Sequence, residues 1–159
     1  MKLVVEIDSA SSEPAPEEGD LRSWIRAALI DRQRDTEISV RLVDIEEMSE
    51  LNQRYRNKAG PTNVLSFPAD IPAELNHPLL GDIVICAPVV RREAAEQGKP
   101  EESHWAHMTV HGTLHLLGYD HVIEAEAQAM EAMETAILAT LNYPCPYSAN
   151  ATPLEHVAQ

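Results

Sequence analysis

The chain is poor in the residues that mark several protein classes. Two cysteines among 159 residues cannot build the disulfide framework of a small secreted domain. Cys86 lies in the apolar run Ile83–Cys86 and Cys145 in a proline-rich stretch, which fits a reducing compartment. No run approaches the roughly 20 apolar residues of a membrane span. The first residues, Met-Lys-Leu-Val-Val-Glu-Ile, are too few and too soon charged for a signal peptide. A cytoplasmic protein without a membrane partner is expected. Basic residues are also scarce, 12 against 26 acidic ones, for a net charge of −14. Phosphate neutralisation supplies much of the affinity for nucleic acid, so this balance alone argues against such a partner. It is a whole-chain figure, however. Arg54, Arg56 and Lys58 fall within one short stretch, and Arg91 and Arg92 in another, so a local basic cleft is compatible with it.

What is present suffices for one domain with a core. Hydrophobic residues make up 44% and charged residues 24%, ordinary for a globular protein. Lys2–Ile7 reads as a strand and Ser9–Gly19 as a loop. Leu21, Ile25, Ala28 and Leu29 are spaced as an amphipathic helix. Glu37–Val43 alternates with the period of a strand. Asp44 with Glu47 predicts a capping box at the start of a helix reaching about Tyr55. Residues 56–61 form a loop, Asn63–Phe67 a strand, 69–80 an irregular connection broken by Pro72 and Pro78, and Asp82–Cys86 a strand. Val89–Gln97 and Glu102–Leu117 are helices, and the stripe Met130, Met133, Ile137, Leu141 marks a last one. The expectation is an α+β fold, an α/β sandwich in the broad sense. It has a mixed sheet of about four strands covered by about five helices, in one domain over residues 1–142 with a loosely ordered tail over 143–159.

The helix at Glu102–Leu117 carries the chemistry. His111, His115 and His121 form His-x3-His-x5-His with Gly118 between the last two. Residues four apart share a helix face, so His111 and His115 can offer two imidazoles to one ion. Gly118 ends the helix, and the reversed chain can return His121 toward them. Three nitrogens with a fourth position open are the donor set of a catalytic zinc site. His107 shares the stripe but lies roughly 12 Å from His115 along the axis, whereas nitrogens on one ion lie within roughly 4 Å of each other. It is read as a neighbour facing the cleft or as a packed histidine. His104, His77 and His156 are given no role. Asp120 either orients an imidazole or caps the final turn near Glu124.

The spacing also resembles the metzincin protease signature, which places a Glu general base after the first histidine. This chain has Gly112 there, which cannot accept a proton. A metallopeptidase or amidohydrolase is thereby disfavoured, and a non-catalytic protein with structural zinc is the other alternative.

Three blocks resemble the YbeY family of bacterial zinc-dependent endoribonucleases. They are H-M-T-V-H-G-T-L-H-L-L-G-Y-D-H from His107, L-N-Q-R-Y-R-N-K-A-G-P-T-N-V-L-S-F-P from Leu51, and L-G-D-I-V-I from Leu80. Together they span roughly residues 37–141; many family members carry Asp where this chain has Asn63. The resemblance implies one Zn2+ per chain on His111, His115 and His121, with Arg56 as the functional arginine facing the metal. It implies cleavage of single-stranded RNA, maturation of the 3′ end of small-subunit ribosomal RNA, ribosome quality control, and contact with the small ribosomal subunit or its associated proteins. Arg56 offers a planar, permanently charged fork suited to phosphate oxygens.

Overall fold

The computed structural model describes residues 1–120 and 122–147, apart from the side chain of Ala73. The element order is β1 (Leu3–Ser9), α1 (Glu18–Ala28), β2 (Thr36–Val43), α2 (Ile45–Arg56), β3 (Val64–Pro68), β4 (Leu79–Cys86), α3 (Ala87–Gln97), α4 (Glu101–Leu116) and α5 (Glu124–Thr140), with a 3-10 turn at Ala73–Leu75. The strands form one sheet in the order β1-β2-β4-β3. β1, β2 and β4 run parallel and β3 is antiparallel to β4. Parallel neighbours need a crossover rather than a hairpin, and α1 supplies the one between β1 and β2. This is the expected mixed four-stranded sheet with five α-helices.

The sheet separates two cores of unequal size. On one face Ile38, Val40, Leu42, Val64, Ile83 and Ile85 pack with Leu21 and Ile25 of α1, Met108 and Leu114 of α4, and Met130 and Leu138 of α5. On the other, Val43, Leu65, Val84 and Cys86 meet Met48 of α2 and Val89. The alternation that marks β2 as a strand is this division of its side chains between faces.

α4 is the central element. Every residue from His104 to Leu116 is buried, and the helix touches β3, β4, α1, α3 and α5. A helix covered on all sides must satisfy its polar groups internally. Thr109 and Thr113 do so by donating to the carbonyls of Trp105 and Thr109, at 2.8 and 2.7 Å.

Gly112 sets how closely α4 approaches the sheet. A Cβ there would lie 3.0 Å from Ile83 Cγ2 and 3.2 Å from both Ser66 Oγ and Val64 Cγ2. Ser66 Oγ donates to the Gly112 carbonyl at 2.9 Å, locking β3 to the helix. Position 112 therefore faces β3 and β4. Gly112→Glu is expected to destabilise the fold severely: about 1–3 kcal/mol from excess volume, plus the larger cost of an unpaired buried carboxylate. Thermal unfolding of this variant beside the parent measures it.

Several local expectations change. β4 starts at Leu79, not Asp82. Gly81 (φ +155°) lets the chain pass Phe67 O, which a Cβ would meet at 2.4 Å. The capping box at Asp44 does not form. Asp44 occupies the N-cap position without a side-chain bond to its own helix, and its carboxylate instead takes the hydroxyls of Ser11 and Ser12. Glu47 pairs with Arg41 at 2.6 Å, not with the helix end. α2 extends one residue further than expected, so Arg56 is its last helical residue rather than the first of the loop, and Asn57 (φ 57°) terminates it. Residues 143–147, expected in the loose tail, pack on the domain. Tyr143 meets Trp24 edge-on at 6.4 Å and donates to Glu102, and Lys99 Nζ donates to Pro146 O. The tail from residue 148 onward, His156 included, lies outside the described residues.

Candidate metal centre

The two histidines on the buried helix come together as their spacing requires. The ring centroids of His111 and His115 are 4.8 Å apart, with 3% and 2% of each residue exposed. The helix ends in a Schellman turn. Gly118 (φ 102°) takes the left-handed position, its N–H bonds His115 O at 3.0 Å, and Tyr119 N–H bonds Leu114 O at 3.1 Å. Chain reversal at Gly118 is thus as the sequence indicates. His121, the expected third ligand, lies outside the described residues. α5 begins at Glu124 with Ile123 as its N-cap residue, so Asp120, half-buried in the turn, is not the cap of that helix.

A fourth participant comes from α5. Glu134 is fully buried, the one carboxylate so placed among the described residues. Its Oε2 lies 2.7 Å from His111 Nδ1 and 2.9 Å from His107 Nε2. Tyr147 donates its hydroxyl to Oε1 at 2.7 Å. Burial alone would push the Glu134 carboxyl up. The charge of His111 and the hydrogen bonds from His107 and His111 outweigh it and hold the group well below the usual carboxylate range. Burial pushes the His107 imidazole down despite Glu134, and burial followed by the Glu134 charge raises the Tyr147 phenol. The buried network is therefore an ionised carboxylate accepting from two imidazoles and a phenol hydroxyl.

Potential ligand atoms of His107, His111 and Glu134 lie within 4.8 Å of one another, and this trio could hold a metal ion. With His115 beside it, the cluster offers buried imidazole nitrogen and carboxylate oxygen, a donor set that suits zinc and also nickel, cobalt or iron. On donor chemistry the residues fit a metal.

Two histidines without an expected role are structural. His104 is 1% exposed, and its Nε2 meets Glu93 Oε1 at 2.9 Å. Asn63 donates to the same carboxylate, which ties the start of β3 to α3 and α4. His77 accepts the Leu79 N–H on an exposed loop. Arg56 is half-buried at the end of α2. The chain beyond it runs through residues 57–63 into β3, the strand bonded to α4 at Gly112.

Sequence reasoning missed Glu134. A signal was available. Glu134 falls four residues after Met130 and three before Ile137, inside the apolar stripe of α5, where a solvated carboxylate has no place. Tyr147 gave no such signal, because its partner is 13 residues away across a turn.

A family model described as Endoribonuclease YbeY matches residues 6–142. Proteins named Endoribonuclease YbeY from Stutzerimonas stutzeri and Cellvibrio japonicus are each 55% identical to the chain. The first aligns over 92% of this chain and 92% of its own length, the second over 96% and 86%. The solution structure of TM1509 from Thermotoga maritima shares the fold, with a TM-score of 0.58 and 24% identity over 87% of this chain and 92% of that one. Among the described residues, no helix is long and apolar enough to cross a membrane.

Proposed function

The chain belongs to the YbeY endoribonuclease family, and on that premise we propose that it is a zinc-dependent endoribonuclease specific for single-stranded RNA. Its task is maturation of the 3′ end of small-subunit ribosomal RNA and ribosome quality control in the cytoplasm. The observation that carries this reading is the buried pair His111 and His115, 4.8 Å apart and followed directly by the Gly118 turn. In this reading they hold one Zn2+ per chain together with His121.

A metal in that position supplies Lewis acidity toward a phosphoryl oxygen and an activated water near neutral pH. The remaining work belongs to side chains. Glu134 holds His111. Arg56 presents two parallel N–H donors to a phosphate oxygen pair, which positions the scissile group and offsets charge that builds on it. Arg54 and Lys58 stand beside it, so 3 of the 12 basic residues cluster at the end of α2. This stretch is where an acidic chain of net charge −14 can engage an RNA backbone. Contacts with proteins of the small subunit would supply the rest of the association.

Gly112 speaks against the peptidase reading. A glutamate at this position would point into Ile83, Ser66 and Val64, so no general base can stand where the protease signature puts one. Zinc-loaded protein should therefore cut single-stranded RNA and leave casein intact. Casein hydrolysis without RNA cleavage would reverse the choice, and neither activity in a zinc-saturated protein that binds ribosomal subunits would favour an assembly factor.

A further inference from the structure

Glu134 is a costly residue to bury. Its helix is otherwise apolar on that face, with Met130, Ile137 and Leu138 in the core. An ionised carboxylate at 0% exposure brings little net stability even when fully hydrogen-bonded, because desolvation consumes most of the gain. Its partners suggest what it does instead. Both imidazole contacts converge on Oε2, from His111 Nδ1 at 2.7 Å and His107 Nε2 at 2.9 Å. An ionised carboxylate only accepts, so each ring nitrogen must carry its proton there. A neutral His111 with Nδ1 protonated has its lone pair on Nε2, the nitrogen on the other side of the ring. His107 is correspondingly the Nε2–H form, and its Nδ1 is buried without a hydrogen-bond partner among the described residues.

Distances separate positioning from ligation. Two donor atoms on one tetrahedral zinc, each about 2.0–2.1 Å from it, lie roughly 3.3 Å apart. Glu134 Oε2 is closer than that to both nitrogens, at the separations of charge-assisted hydrogen bonds. The carboxylate is itself held. Tyr147 donates to Oε1 at 2.7 Å, and the segment carrying Tyr147 is pinned by Lys99 Nζ on Pro146 O at 3.0 Å.

We infer that Glu134 is a positioning residue for the metal centre. Its carboxylate, clamped by Tyr147, fixes His111 as the Nδ1–H tautomer so that Nε2 is the metal-binding nitrogen. His107 shares the same oxygen and is not a ligand. This rests on the reading that His111 binds the metal. Loss of a carboxylate behind a ligating histidine typically lowers metal affinity by roughly 10–100-fold.

The test is zinc affinity of the full chain, by competition with a chromophoric chelator, together with 15N spectra of the histidine rings. Glu134→Gln keeps volume and a carbonyl acceptor and removes the charge. It is expected to fold, to take one zinc at saturation, and to bind it about 10–100-fold more weakly. Tyr147→Phe should show a smaller drop in the same direction, and His111 of the zinc-free parent should be the Nδ1–H form. Parent-like affinity in Glu134→Gln overturns the inference. So does a folded Glu134→Gln that takes no zinc at saturation while His115→Ala still does, which would make Glu134 a ligand. If Glu134→Gln fails to fold, an Nε2–H tautomer for His111 in the parent overturns it on its own. A parent that takes no zinc, or His111→Ala with parent affinity, fails earlier and identifies the metal reading itself as wrong.

Discussion

His111→Ala and His115→Ala proteins are expected to retain no stoichiometric zinc, against about one per chain in the parent, and to lose RNA cleavage. Each removes an imidazole from a buried pair 4.8 Å apart, and two remaining ligands hold a catalytic ion poorly. The metal's share of transition-state stabilisation is several kcal/mol, which at about 1.4 kcal/mol per decade is roughly 10³-fold or more in rate. His121→Ala should behave alike, and stoichiometric metal in that variant would remove His121 from the ligand set. His107→Ala should keep its zinc, because that ring already serves Glu134. Metal content by atomic spectroscopy, beside a melting curve to exclude unfolding, reads all four.

Arg56→Ala is expected to keep both zinc and fold and to lose most cleavage. Arg56 sits half-buried at the C-terminal end of α2, outside the two hydrophobic core clusters. Loss of one preorganised charge-stabilising donor typically costs roughly 10²–10³ in rate. Arg56→Lys should recover only part of this, since lysine keeps the charge and loses the two-pronged geometry. Single-turnover cleavage of a single-stranded RNA measures the effect. An Arg56→Ala protein cutting at the parent rate would take Arg56 out of the reaction and leave the metal as the sole support for nuclease chemistry.

Local patterns were legible where the code is local. The period of β2, the spacing of His111 and His115 on one helix face and the left-handed turn at Gly118 all depend on neighbours within one or two turns of chain. What the sequence hid depends on distant contacts. Asp44 and Glu47 matched a capping box, yet Ser11, 33 residues away, takes the Asp44 carboxylate, and Arg41 of β2 takes that of Glu47. The start of β4 was concealed by prolines and by Gly81, whose role is a close pass beside Phe67. Gly112 read as a missing base, and packing shows the converse, a position with no room for a side chain of that size. Glu134 and Tyr147 reach the histidines from 23 and 40 residues away, a separation no short motif encodes.

The central claim is that a metal held by the histidine helix drives RNA cleavage, and one preparation can decide it. The protein is assayed on single-stranded RNA as purified, after stripping with a chelator, and after reloading with zinc, with metal content measured at each stage. Cleavage should disappear on stripping and return as zinc approaches about one per chain, with the melting curve showing a folded protein throughout. Full cleavage by a folded, metal-free protein would contradict the claim, and so would a zinc-saturated protein that never cuts RNA.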